Sequence, residues 1–333
     1  MGDVALTVPV LRSVLENNPH LHITLVSNAS FEPFFHDLPR FEFYGVDLNM
    51  YKGIGGLYRL FKKLNSYQKW DCITDLHSVM RTWVLDRFFQ WKGIPVYKVN
   101  KGRAEKKALT QKKNKQLVQL PHTTERYMHV FKQAGLSSPL IIGEAIHAEN
   151  VESIELKLDT NKSWIGIAPF SKHEQKEWPL QKVESLIKNI NQTNEFEILL
   201  FGGGKKEKEL LDNIANTYKG VHSIAGRLTL SAEISLVKKL KLMISMDSFN
   251  MHLGALLGVK VISIWGATHS LAGFGPVSGN ELFKVEIPME ELTCRPCSVF
   301  GNKPCYRGDF ACMQKVTVDM VEEKINLALN SQN

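Results

Sequence analysis

Apolar positions along this chain alternate between two periods. Short apolar runs of strand length recur between longer stretches whose apolar residues fall every three or four positions. In the first half, "HITLVS", "FEFYGVD", "CITDLH" and "PVYKVN" read as short buried strands. Between them, "GGLYRLFKKLNSYQ" and "MRTWVLDRFFQWKG" read as helices, and "TTERYMHVFKQAGL" follows with Thr123 or Thr124 as its cap and Gly135 as its stop. The opening "MGDVALTVPV" differs. A helix starts at once, with Val10, Leu11, Val14 and Leu15 at helical spacing, and no strand stands before it.

The polar stretch "HAENVESIELKLDTNKS" interrupts the alternation and reads as a linker or edge segment. The alternation then restarts. "SWIGIAPF" is a strand, and "PLQKVESLIKNINQ" is a helix with Pro179 at its first position. "FEILLFGGG" is a strand that ends in a glycine turn, and "KKEKELLDNIANTY" is the helix after it. "LKLMISMD", "MHLGALLGV" and "KVISIWGAT" give strand, helix and strand, and "TVDMVEEKINLALN" is a final amphipathic helix. Strands that alternate with helices argue for parallel sheets covered on both faces. The expected fold is therefore α/β, with two Rossmann-like doubly wound domains. Their boundary is expected near residue 155, which separates residues 1–155 from residues 156–333.

Composition narrows the class. The 333 residues are 44% hydrophobic and 23% charged, as in an ordinary soluble globular protein. No apolar run approaches the roughly 20 residues of a membrane span. The N-terminus lacks the basic-then-apolar pattern of a signal peptide, so a cytoplasmic location is the default expectation. The net charge of +7 is concentrated in "KVNKGRAEKKALTQKKNKQ", Lys98 to Gln116. The bland reading is a solvated face. The sharper one is attraction to a phosphorylated or membrane-associated partner. Nucleic acid is disfavoured, because no aromatic residue interleaves the charges to stack on bases.

Ligands of open α/β sheets bind beyond the carboxyl ends of the strands, and four such loops here carry unusual chemistry. In "ISMDSFNMHLGALLG", Asp247 and Ser248 open a helix whose free N–H groups favour an anion, and His252 lies one turn in on the side of Ser248. The bland alternative is an ordinary cap with a core histidine. In "GIAPFSKHEQKEWPL", Ser171 follows the strand end, and Lys176 stands just before Trp178-Pro179, where it could neutralise a departing diphosphate. Otherwise this is a solvated basic loop. In "LLFGGGKKEKE", the glycines around Gly203 permit close backbone approach to a ligand, or make a tight turn. In "MGDVAL", Asp3 sits near a helix start, as a cap or as a general base on an acceptor hydroxyl.

These loops, in this order, resemble the ADP-heptose:lipopolysaccharide heptosyltransferases, glycosyltransferase family 9. The resemblance extends over essentially the whole chain, through "GDVALTVPVLRSVL", "DCITDLHSVMRTWVL", "TERYMHVFKQAGL", "KEWPLQKVESLI", "MDSFNMHLGALLGVKVISIWGATH" and the cysteine segment. It implies a GT-B fold, with an acceptor-binding domain (1–155) and a donor-binding domain (156–333) across a cleft. It implies an inverting transfer of a sugar, heptose first, from an ADP-sugar to a lipopolysaccharide core or related glycolipid. Asp3 then matches the catalytic base, Lys176 the lysine on the donor phosphate, and Asp247, Ser248 and His252 the donor loop. No cofactor is required, and peripheral contact with the inner face of the cytoplasmic membrane is expected. Two positions depart from the family pattern. Phe249 stands where the donor loop usually has glycine, and Thr268-His269 follow Trp265-Gly266 where Gly-Pro-Thr is common. The family's Gly-Asp-Val also follows a central strand that is absent here, so Met1 is expected to be an internal methionine.

Of five cysteines, Cys72 reads as a core residue. The other four, Cys294, Cys297, Cys305 and Cys312, lie in "CRPCSVFGNKPCYRGDFAC" at a spacing that could bind a structural zinc. Packed thiols and disulfides are the alternatives, and a cytoplasm disfavours the latter. An epimerase or NAD-dependent oxidoreductase would need a Gly-x-Gly-x-x-Gly turn after a first strand, and the chain has none. A non-catalytic or donor-altered relative that binds nucleotide or glycan is the remaining alternative.

Overall fold

The computed structural model describes residues 1–143, 145–146, 158–277 and 280–331. The chain divides into two compact units. One comprises Leu6–Arg103 and Pro121–Ile142, and the other Met1–Ala5, Ala104–Leu120 and Gly143–Asn333. The boundary expected near residue 155 lies outside the described residues.

After one helical turn, α1 (Gly2–Ala5), the chain enters α2 (Val8–Asn17). The helical spacing of Val10, Leu11, Val14 and Leu15 has its expected consequence, since all four are buried. Strand β1 (Ile23–Ser27) pairs in parallel with β2 (Phe41–Gly45), from Ile23 opposite Phe41 to Ser27 opposite Gly45. Helix α3 (Gly53–Tyr67) follows, then β3 (Ile73–Asp75), α4 (Met80–Trp91) and β4 (Val96–Lys98), with β3 and β4 again parallel. Val46, Leu60, Phe61, Leu64 and Phe89 form the core between these helices and strands. The alternation predicts one sheet, but the structure has two separate pairs. Among the described residues no strand bonds to the second edge of β1 or of β3.

The basic run is not simply a solvated loop. Its middle forms α5 (Arg103–Thr110), which buries Leu109 against Leu120 and Ala272. Lys106 lays its ammonium 4.2 Å from the centroid of the Phe274 ring. Helix α6 (Thr123–Gln133) corrects one expectation. His122, rather than Thr123 or Thr124, is its cap, and the imidazole accepts from the Thr124 amide at 3.3 Å. Glu125 returns the bond to the His122 amide, closing the capping box. Thr123 and Thr124 are buried instead.

The second unit holds one six-stranded sheet, wholly parallel. Its strands are β5 (Ser163–Ala168), β6 (Phe196–Leu200), β7 (Val221–Ser223), β8 (Leu242–Met246), β9 (Lys260–Trp265) and β10 (Lys284–Glu286). They lie in the order β10-β9-β8-β5-β6-β7. The interior strands β8 and β9 are almost continuously apolar and buried, as a sheet covered on both faces requires. Helices α7 (Leu180–Gln192), α8 (Gly204–Thr217), α9 (Leu230–Lys238) and α10 (Phe249–Leu256) make the crossovers. After a single turn, α11 (Ala311–Gln314), the terminal helix α12 (Val318–Asn330) packs on β9, β10 and α7. Pro179 is the residue before α7 rather than its first position.

This strand order places the topological switch between β5 and β8. The chain leaves β5 toward one edge of the sheet and β8 toward the other. The loops beyond their paired ends, where Ala168 faces Ser245, must therefore diverge and leave a crevice.

Candidate active site

The loops at that crevice carry Lys176 and Asp247. Lys176 ends a short 3-10 turn after β5, and Trp178 anchors the segment behind it. The Trp178 indole is buried and donates to the Val316 carbonyl at 3.1 Å. Lys176 can therefore reach across the switch point. Its ammonium donates to the Asp247 carbonyl at 2.6 Å and lies 3.4 Å from the Asp247 carboxylate. That carboxylate is buried and also accepts from the Thr268 hydroxyl at 2.8 Å. The carbonyl and the carboxylate of Asp247 thus both face the Lys176 ammonium.

Glycine sets the position of the lysine stem. Gly301 has φ +75°, and a Cβ on it would stand 2.6 Å from Lys176 Cγ. Only a residue without a side chain fits at that backbone conformation and that contact.

Ser248 precedes α10 but does not cap it. Its hydroxyl instead hydrogen-bonds Ser245 at 3.0 Å, which leaves the first N–H groups of α10 without a serine oxygen over them. His252 is buried on the same helix. Helix α1 packs against α10 so closely that a Cβ on Gly2 would lie 3.1 Å from His252 Cδ2. The next residue, Asp3, is exposed to solvent. The opening Gly-Asp and the Asp247–His252 segment, far apart in the chain, thus belong to one neighbourhood.

Ser171 and Gly203 have a different setting. The Ser171 amide donates to Glu177 at 3.1 Å, and the Gly203 amide to Glu207 at 2.7 Å. Burial pushes the Glu177 carboxyl above its ordinary range, and the nearby Glu207 charge adds to the effect. Both loop amides therefore already hold carboxylates. The Ser171 hydroxyl is buried and has no hydrogen-bond partner among the described residues.

Thr268 and His269 are braces. Thr268 holds Asp247, and His269 stands 3.3 Å from Glu286. Glu286 also meets Arg295 at 2.9 Å and Lys284 at 3.6 Å. Burial alone would raise the Glu286 carboxyl. The His269 bond and the Arg295 and Lys284 charges outweigh it and hold the carboxyl at about 2. The Arg295 guanidinium is buried and donates to the carbonyls of Gly266 (2.7 Å) and Ile287. It ties the cysteine segment to the end of β9.

Cys294, Cys297, Cys305 and Cys312 line one small cavity together with Tyr306 and Ala267. All four are free thiols. Burial pushes the Cys312 thiol up to about 11 and raises Cys297 as well. Among the described residues no group of three or more His, Cys, Asp or Glu is disposed to hold a metal ion. The Lys115 ammonium, from the basic run, donates to the carbonyls of Cys294 and Pro296.

Residues 57–297 match the model of glycosyltransferase family 9 (heptosyltransferase). Lipooligosaccharide heptosyltransferase 2 of Campylobacter jejuni (serotype O:2) is 28% identical over 53% of this chain and 54% of its own length. The homologue from serotype O:6 is 26% identical over 51% and 52%. The chain thus spans about half the length of these curated relatives. Lipopolysaccharide core heptosyltransferase OpsX of Haemophilus influenzae is 21% identical over 80% of this chain and 76% of its own. Among solved structures, the family 9 glycosyltransferase of Veillonella parvula superposes with a TM-score of 0.73 at 19% identity, covering 98% of this chain and 94% of that one. E. coli heptosyltransferase WaaC with ADP gives 0.70 at 17% identity, covering 98% and 96%. The α/β fold is that of these GT-B proteins.

The Glu286 cluster yields a pH prediction. Its carboxyl is depressed on folding, so its contribution is complete above the ordinary value of 4.5 and is lost as pH falls from there toward about 2. Urea unfolding followed across that window should show falling stability in the wild type and a flatter profile in Glu286→Gln. At neutral pH the variant, which leaves Arg295 without its carboxylate, should be less stable by about 3 kcal/mol. Coincident profiles would remove Glu286 as the anchor of this wall.

Proposed function

Because the chain belongs to glycosyltransferase family 9, we propose that it is an inverting glycosyltransferase. It moves a sugar, heptose foremost, from an ADP-sugar to a lipopolysaccharide core or related glycolipid. The observation that carries this reading is the Lys176 ammonium fixed on Asp247 at the sheet's switch point. The relatives named heptosyltransferases support the choice of sugar.

In this reading the diphosphate of the donor lies between Lys176 and the head of α10. Ser248 and the first α10 amides hold its oxygens, and His252 lies beneath them. Asp247 keeps Lys176 in place. The Ser171 hydroxyl adds a further contact. The carboxylates on the Ser171 and Gly203 amides would repel phosphate, so Glu177 and Glu207 are suited to accept from sugar hydroxyls, with Gly203 allowing close approach. The Asp3 carboxylate takes the proton of the acceptor hydroxyl. The hydroxyl oxygen then forms a bond to the anomeric carbon as the bond to the diphosphate breaks, and ADP leaves with the electron pair. Lys176 and the helix start stabilise that departing charge, and the reaction requires no cofactor. A cytoplasmic location, where an ADP-sugar is available, completes the reading. Among the described residues no helix is long and apolar enough to cross a membrane. Phe249, in the family's glycine position at the head of α10, favours a second reading, a relative with an altered donor or with none.

Three variants and one assay test this. A panel of nucleotide sugars with product detection by mass spectrometry should give transfer from ADP-heptose; no product from any donor would favour the second reading. Asp3→Asn should lower the rate by about 10²–10⁴ while leaving ADP affinity intact, and full activity would remove Asp3 as base. Lys176→Ala should weaken ADP binding by about ten- to a hundredfold, the worth of a charged hydrogen bond. Gly301→Ala keeps every charge but displaces the lysine stem, so calorimetry should show a loss in the same direction. Unchanged ADP affinity in both would end the phosphate assignment.

A further inference from the structure

Helices α3 and α4 expose an apolar surface that their own core does not use. Helix α3 turns Leu57, Leu60, Phe61 and Leu64 inward, yet leaves Ile54 at 70% exposure. Helix α4 buries little beyond Asp86 and Phe89, and leaves Met80 at 77% and Trp91 at 76%. These side chains, with Trp83 and Phe88, line one open groove of about 820 Å³. Solvent-facing tryptophan and methionine in one contiguous patch mark an interaction surface rather than ordinary scatter.

The exposed charge on the two helices is of one sign. Arg59, Lys62 and Lys63 are exposed on α3, Arg81 and Arg87 on α4, and Lys92 just beyond it. The only carboxylate in either helix is Asp86, which is buried and held by Lys98 at 2.8 Å. Lys98 and Arg87 line the groove itself. The long side chains already lie over aromatic rings, Lys62 at 5.0 Å from the Tyr58 centroid and Arg103 at 5.7 Å from Trp83. Aromatic and thioether side chains at the centre, with flexible cations at the rim, match the layering of a membrane interface. There apolar groups enter the acyl boundary, and ammonium and guanidinium groups reach the headgroup phosphates.

We propose that this α3–α4 face docks on the surface of an anionic phospholipid bilayer. Trp91, Met80 and Ile54 enter the headgroup–acyl boundary, and Arg59, Arg81, Arg87 and Lys92 meet the phosphates. The face goes beyond the transfer reading and needs neither donor nor acceptor. Loss of membrane binding would therefore leave that reading standing, and loss of transfer would leave this one.

The test is co-sedimentation of the full chain with vesicles of phosphatidylglycerol and phosphatidylcholine, against phosphatidylcholine alone. Binding should need the anionic lipid and should weaken by about tenfold or more as salt rises from ~0.1 to ~0.5 M. The double variant Met80→Ser, Trp91→Ser should bind at least about tenfold more weakly at any salt. The double variant Arg81→Ser, Arg87→Ser should lose binding and much of the salt dependence. Both should keep the wild-type melting temperature and ADP affinity, because the replaced side chains are exposed. Equal binding by wild type and variants, or none to anionic vesicles, would overturn the proposal. So would a wild-type dimer that Trp91→Ser converts to monomer, since the occupant would then be a second copy of the chain.

Discussion

The bond from Lys176 to Asp247 is the constraint on which the rest of the site depends. It joins the loop after β5 to the end of β8, the two places where the sheet's winding reverses. An ammonium so placed loses much of its hydration, and it is held only because a carbonyl and a carboxylate both face it. The carboxylate in turn is fixed from the β9 side by Thr268. Each of the three strand ends thus contributes one group to the cluster. In the proposed reading, pre-set positive charge of this kind would stabilise a leaving diphosphate without reorganising when the charge develops.

Behind that bond stands a wall without regular structure, and its rigidity has an electrostatic source. Arg295 is buried, which would be unfavourable for an isolated guanidinium. Its donors are met by backbone carbonyls and by Glu286, which also holds His269 and Lys284. The segment pinned in this way carries Gly301, whose missing side chain gives the Lys176 stem its room. The cysteines belong to the same wall, where they pack as free thiols around a small cavity. Lys115 brings the basic run onto their backbone carbonyls. Part of that positive charge therefore serves the wall rather than a partner.

The hydrophobic pattern alone revealed most of the long elements. Helix α7, strands β5, β6, β8 and β9, and helix α12 follow from their periods because each is long enough to show one. The strands β7 and β10 lie at the two edges of the six-stranded sheet, where longer neighbours offer them an edge to pair with. His122 displaced the threonines as the cap of α6 because an imidazole nitrogen can accept from the same amide and both threonines find room inside. Lys176, Asp247 and Ser248 stood out as candidates from their places in the loops beyond strand ends. Their mutual contact did not, since Lys176 and Asp247 are 71 positions apart. Gly301, Glu177 and Glu207 carried no local signal, as each acts only through a neighbour brought to it by the fold.

The central claim is that Lys176 and the head of α10 form a seat for diphosphate. It is tested most directly by calorimetric titration of adenosine, AMP and ADP into the full chain. The account predicts a steep rise in affinity with each phosphate, with ADP binding at least about a hundredfold more tightly than adenosine. Equal affinities for adenosine and ADP would contradict it.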